Sequence, residues 1–367
     1  MSFLYSILEW FTGLKLIVVA GIAMYITSKA LSDALGGGRT DSPGRLAVAQ
    51  WLPTAVLAVA AVAGNRPAIA MGLIFSSSIA CLCLGTGAVA LLGFPPAPSS
   101  ARRAGTLLLP AALLASLAGF QGAISLGIAG LFSLQGLVVI LLWTDPANKT
   151  TGLTASAASD LPLKRQARYG GKNLFRVLQF IIALALAWVG AWLALHGVDQ
   201  VSSGSEFASA GLLTATILSP LLVLPIIGNG TELSQRNQSA TAVDSQMGVV
   251  LLNICALLPI VVFTSYARTS AIYLSSIVTQ RMHQPSTGTT LPAAIEFHAM
   301  PFPLGVWRVD VVMLIALGLL LMPVALGRWA LSKQQGLAMM VGYAVYLFLA
   351  IEYQRYILYG VPLKSSP

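Results

Sequence analysis

Charge is the scarcest commodity in this chain. Only 9% of its 367 residues are Asp, Glu, Lys or Arg, against roughly 25% in an ordinary soluble domain. So few charges cannot cover a water-exposed surface, which excludes a soluble enzyme. Histidine and cysteine are equally sparse, at three each. His196, His283 and His298 fall in or beside connections with no H-E-x-x-H pattern, and no span carries G-x-S-x-G, so an intramembrane enzyme finds little support. Cys81, Cys83 and Cys255 lie inside apolar runs, lack zinc-ligand spacing and read as small core residues. What the chain has is apolar surface: 56% of residues are hydrophobic and the mean hydropathy is +0.80. Disordered chains are poor in such residues. Lipid must be the solvent for most of this sequence.

A membrane helix needs about 20 largely apolar residues. Ten segments qualify: about 8–28, 45–64, 67–93, 104–120, 122–143, 173–196, 205–228, 242–265, 307–327 and 334–360. The reading is therefore an all-α polytopic membrane protein. Its first apolar run lacks a basic leader and a small-residue cleavage site, and is expected to be a retained span. A polar stretch, Thr144–Lys172, carries Lys149, Lys164, Arg165, Arg168 and Lys172 and divides the spans five and five. The expected organisation is residues 1–143 as a first five-helix unit, 144–172 as a basic loop and 173–367 as a second unit. The other long connection, Ser265–Val306, is polar with an amphipathic part near Ser270–Met282.

Assigning the 21 basic residues to sides puts 14 on the side of the central loop and 7 on the other. The richer side should be cytoplasmic, which leaves both termini outside. The net charge of +9 is dispersed between apolar runs rather than gathered in one stripe. It suits anionic headgroups better than nucleic acid. An integral protein of a plasma membrane, such as a bacterial inner membrane, is the expected setting. The bilayer is its one implied partner besides small cations, with no protein partner.

A unit of five spans, duplicated, must insert the second time upside down. Weak internal similarity supports duplication: Arg103 precedes Gly136 by 33 residues and Arg308 precedes Gly342 by 34, and an acid (Asp145, Glu352) follows each apolar run. Inverted repeats place a substrate site near the midplane where they meet. Polar groups concentrate where that site should lie. In spans 2 and 3, Pro53 frees the carbonyl of Ala49, Thr54 follows it, and Ser76, Ser77 and Ser78 form a hydroxyl cluster. In spans 7 and 8, Pro220 and Pro225 are expected to break the helix, and Pro225, Gly228, Asn229, Glu232 and Arg236 share one helical stripe. Gln246 and Asn253, seven apart on span 8, share a face, with Asp244 near its entrance. These are oxygen ligands, which suit hard cations. The bland alternatives are that the serines bond back to their own helix, that Glu232 pairs with Arg236, and that Asp244 caps a span. Asp310, Asp145 and Glu352 read as interfacial.

These residues resemble the signature repeats of the calcium/cation antiporter superfamily, which includes sodium/calcium and cation/proton exchangers. The resemblance runs through Leu52-Pro53-Thr54, Ala70-Met71-Gly72 and Ser76-Ser77-Ser78 in the first half. In the second it runs through Gly228-Asn229-Gly230-Thr231-Glu232, Met247-Gly248 and Asn253. As a divergent sodium/calcium exchanger-like member, the chain would be two inverted five-helix repeats. It would exchange Ca²⁺ or another cation for Na⁺ or H⁺ by alternating access, with no cofactor. Thr54, Ser77, Ser78, Asn229, Glu232, Asp244 and Asn253 would surround the cation, with Glu232 and Asn253 as its ligands and Pro53, Pro220 and Pro225 as kinks. Thr54 stands where the superfamily carries its first acid, Leu73 and Ser78 where it carries asparagines. One carboxylate against a divalent ion leaves a positive charge uncompensated, at roughly 4 kcal/mol per lost contact. A monovalent ion or proton is easier to hold. The rival reading from another class is a transport-inactive scaffold or sensor of the same fold.

Overall fold

The computed structural model describes residues 2–36, 43–92, 105–144, 172–203, 209–236, 238–283, 299–303, 305–326, 328–329 and 331–359. Helices dominate: α1 (Ser2–Gly36), α2 (Pro43–Ala63), α3 (Pro67–Leu92), α4 (Leu108–Phe120), α5 (Leu126–Thr144) and α6 (Lys172–Ser203) in the first part. Then follow α7 (Ala210–Gln235), α8 (Ser239 to His283), α9 (Val306 to Ala325) and α10 (Lys333–Tyr359). Among the described residues eight helical runs are long and apolar enough to cross a membrane, and two shorter apolar helices, Gly105–Phe120 and Leu126–Leu142, accompany them. This is an integral membrane architecture.

Burial sorts the helices into an inner and an outer set. In α3, 89% of the most apolar stretch is buried, whereas in α6 only 28% is. The inner set is α2, α3, α7 and α8, the segments that carry the prolines and polar groups. Outside them, α1 and α6 run against each other. Their backbones nearly touch: a Cβ on Gly13 would lie 2.7 Å from the Gly197 carbonyl oxygen, and one on Gly197 would lie 2.7 Å from that of Gly13. In lipid, where apolar burial gives little drive, such close backbone approach supplies the packing attraction.

Local chemistry sets several boundaries. Asn65 takes a left-handed φ of 62° in the turn between α2 and α3, and Pro67 starts α3 where its missing N–H costs nothing. That turn is tied down twice, by Arg66 to Asp199 of α6 and by Arg268 of α8 to the Asn65 side chain. Ser209 caps α7 by accepting from the Leu212 N–H. Ser332 and Gln335 bond reciprocally at the start of α10. A short antiparallel pair, β1 (Ala123–Ile124) and β2 (Met300–Pro301), joins the link before α5 to the link before α9.

Four π turns interrupt the α-helical ladder among the described residues: Cys81–Thr86 in α3, Thr214–Leu218 in α7, Asn253–Leu257 in α8 and Val306–Val311 in α9. Such turns recur at functional sites. Two sequence expectations need correction here. The helix runs on through Pro220 and Pro225 rather than breaking, and Pro220 follows the π turn Thr214–Leu218 by two residues. The connection expected from Ser265 is helical as far as His283, a continuation of α8. Of the expected interfacial acids, Glu352 is exposed beside Arg355, and Asp145 lies outside the described residues, as does the basic loop apart from its ends Thr144 and Lys172.

Candidate functional site

The inner helices bring together hydroxyls and an amide from both halves of the chain. Ser78 Oγ donates to the Ile74 carbonyl at 2.6 Å, so its one proton is committed to its own helix. Its lone pairs remain, and Asn253 Nδ2 of α8 donates to both Ser77 Oγ and Ser78 Oγ at 3.1 Å. That choice orients the amide. Asn253 Oδ1 therefore points away from the serines, fully buried and without a hydrogen-bond partner. A buried amide oxygen left bare costs roughly 1–3 kcal/mol, which a cation or water would recover. Beside this trio, Ser76 Oγ donates to the Gly72 carbonyl and lies 2.6 Å from Ser219 Oγ of α7. The serines thus bond back to their own helix, as the bland reading expected, and also reach across to the other half.

A second polar layer lies further along the same helices. Gln246 Oε1 accepts from Thr86 Oγ1 at 3.1 Å, while its Nε2 is buried without a partner. Its backbone carbonyl accepts from Cys81 Sγ at 3.6 Å. Gly230 of α7 makes room for this side chain: a Cβ there would lie 2.6 Å from Nε2. Asn229, next to it, is half-buried with Nδ2 enclosed and unpartnered. On α2, Thr54 and Gln50 are buried beside Pro53, and Gln50 Oε1 has no partner.

The remaining expected site residues are placed elsewhere. Glu232 is exposed and pairs with Arg236 at 2.5 Å, its i+4 neighbour on the last turn of α7. Thirteen residues of helix separate it from Ser219, about 20 Å at 1.5 Å per residue. The fold therefore does not join Glu232 to Asn253 as co-ligands, and the surface ion pair is what its local sequence makes. Asp244 is half-buried on α8, nine residues before Asn253. Thr54 is buried on α2 but shares none of the hydrogen bonds that join Ser77, Ser78 and Asn253.

One acid was misjudged in the opposite direction. Asp310, expected at the interface, is 7% exposed, in the π turn that opens α9. Its cover comes from α3, α4 and α10, none of which is near it in sequence. The Tyr346 hydroxyl of α10 faces it, with Tyr343 stacked 5.7 Å from Tyr346. Gln50 and Asp310 are the groups that sequence reasoning left out of the site, whereas Gln246 was placed on the Asn253 face but not counted around the cation. For Asp310 a signal existed: an acid only two residues after Arg308 and followed by an unbroken apolar run.

Among the described residues no three acids, histidines or cysteines gather as a metal cluster. The donors on offer are hydroxyl, amide and carbonyl oxygens, and the environment is otherwise apolar.

No family model matches the sequence, and no curated protein matches it. Solved structures do. The fold is shared with an H⁺/Ca²⁺ exchanger, CAX, at a TM-score of 0.68 and 13% identity over 95% of this chain and 88% of that one. It is shared with the sodium-calcium exchanger NCX_Mj at a TM-score of 0.55 and 15% identity, over 94% of this chain and 99% of that one. Both are members of the calcium/cation antiporter superfamily, and both are exchangers rather than enzymes. At 13–15% identity these likenesses show the fold alone.

Proposed function

We propose that the chain is a secondary active cation antiporter that exchanges Ca²⁺ or another cation for Na⁺ or H⁺ by alternating access. Ten spans would form two inverted five-helix units, residues 1–143 and 173–367, with the 144–172 loop on the cytoplasmic side and both termini outside. The π turns in α3 and α8, the third span of each unit, support that pseudo-symmetry. The observation that carries the reading is the bare Oδ1 of Asn253, whose Nδ2 donates to Ser77 and Ser78 of α3 among the inner helices. The cation would be coordinated by Asn253 Oδ1, whose amide Ser77 and Ser78 hold in orientation, with the Thr54 hydroxyl as a further ligand. Asn229, with Gln246, would line the path toward Asp244 and Glu232 at its mouth. A centre made of neutral oxygens favours a monovalent ion over Ca²⁺, because nothing in it compensates a second charge.

The test is ²²Na⁺ and ⁴⁵Ca²⁺ flux in proteoliposomes under imposed Na⁺ and pH gradients. Asn253→Ala should abolish exchange and Glu232→Gln should reduce it no more than a few-fold. Flux that survives Asn253→Ala unchanged sinks this centre.

A second reading is a scaffold or sensor with the same fold and no transport. The placement of Glu232 favours it, since among the described residues no carboxylate shares the hydrogen bonds of the trio. A ligand at 100 times its Kd stabilises a protein by about 2.7 kcal/mol. Thermal stability that ignores Ca²⁺, Na⁺ and pH would support the scaffold.

A further inference from the structure

We propose that Asp310 is a proton-binding site, separate from the Asn253 centre and linked to it mechanically through α7. The carboxyl is buried in the π turn Val306–Val311, packed by α3, α4 and α10. No Lys, Arg or His pairs with it among the described residues, and Arg308 on its own turn is exposed. The groups that face it are few. From α10 come the Tyr346 hydroxyl and, behind it, Tyr343. From the π turn of α3 comes Cys83, close enough to both tyrosines to interact with them. The stretch Leu108–Phe120 of α4 contains no ionisable side chain. An unpaired carboxylate charge in such surroundings is expensive, so Asp310 must hold a positive charge. A proton is the one that fits a carboxyl faced by a single phenolic hydroxyl.

The Tyr346 hydroxyl is fully buried and directed at the Asp310 carboxyl, with no other acceptor among the described residues. Its neighbour Tyr343 donates to the Ala215 carbonyl at 3.1 Å. Ala215 lies in the π turn Thr214–Leu218, and Ser219, whose hydroxyl meets Ser76, follows immediately. A chain of contacts therefore runs from Asp310 through Tyr346 and Tyr343 to the loosened turn of α7 and on to the hydroxyls of the centre. Binding a proton forms one O–H bond on Asp310 and takes its charge from −1 to 0, and releasing it to water restores the carboxylate. The carboxylate form draws in the Tyr346 hydroxyl, and the ring pair with it. The Tyr343 bond to Ala215 then adjusts, and with it the seat of Ser219. The proton site stands on this geometry alone, while its coupling to exchange rests on the antiporter reading.

Two measurements on the full-length protein separate these. Infrared difference spectra of the wild type between acid and alkaline buffer should show a carboxylic-acid C=O band replaced by carboxylate bands. Asp310→Asn should remove that pair, and Tyr346→Phe should shift the C=O band by removing its hydrogen-bond donor. If the Asp310→Asn spectrum superimposes on the wild type, or if Tyr346→Phe leaves the band where it was, the proton site is refuted. In proteoliposomes, Asp310→Asn should lower pH-driven cation flux at least tenfold and keep cation-for-cation exchange, with Glu352→Gln at the surface behaving as wild type. An infrared band that belongs to Asp310, together with flux equally pH-driven in Asp310→Asn, leaves the proton site standing and overturns its coupling.

Discussion

A serine hydroxyl has one proton to give, and here that limit decides how the centre is built. Ser78 spends its proton on the Ile74 carbonyl, so it can only accept from Asn253, and the amide oxygen is turned toward empty partners. Replacing Asn253 by Ala would remove the donor and the bare oxygen together. The loss of two buried hydrogen bonds should cost roughly 1–3 kcal/mol of stability, read as a lower melting temperature in detergent. The same variant should lose any melting shift on adding Na⁺ or Ca²⁺, while Glu232→Gln should keep it, because an exposed i,i+4 ion pair contributes little. A cation-induced shift preserved in Asn253→Ala would mean the ion binds elsewhere. None of this orientation is visible in the sequence, where Asn253 and the serines stand 175 residues apart.

At the scale of elements, close packing governs. Gly230 on α7 faces Gln246 on α8 so tightly that a methyl group would lie 2.6 Å from Nε2. Gly230→Ala should push Gln246 off Thr86 and part α7 from α8. The expected result is a destabilisation of about 1–3 kcal/mol, with slower cation exchange than in wild type. Gly197→Val should do comparable harm to the crossing of α1 and α6, where backbone meets backbone. Both are checked by melting curves and by the fraction of protein that remains monodisperse. By contrast Arg66→Ala loosens the α2–α3 turn at a partly exposed pair with Asp199, and should cost no more than about 1 kcal/mol. The helices themselves were legible from hydropathy, since each needs only its own 20 or so residues to declare itself. The π turns were not, because one inserted residue in a helical ladder leaves no mark on an apolar pattern.

For the whole molecule, exchange by alternating access requires that the buried centre open to one side at a time. Cys255, in the π turn just after Asn253, and Cys83, near Tyr343, are buried native reporters of such openings. A membrane-impermeant thiol reagent should label them slowly. Cation concentration or pH should change that labelling rate several-fold if the molecule interconverts. Labelling that stays negligible under every gradient would favour the scaffold reading.

Hydropathy alone determined that this chain lives in lipid, roughly where each helix begins, and which four segments carry the polar groups. These are properties of contiguous residues, and the cost of placing a charge or a bare peptide group in hydrocarbon enforces them without reference to anything distant. Tertiary structure decided which of those polar groups meet. Glu232 sits in a segment with every mark of a binding helix, yet it lies on the outer face of a turn whose Leu233 and Ser234 are buried, and it finds Arg236. Asp310 sits near a span end, yet α3, α4 and α10 close over it and leave it with tyrosines. Burial of a side chain is set by what packs against it, and those neighbours come from parts of the chain that no local pattern connects.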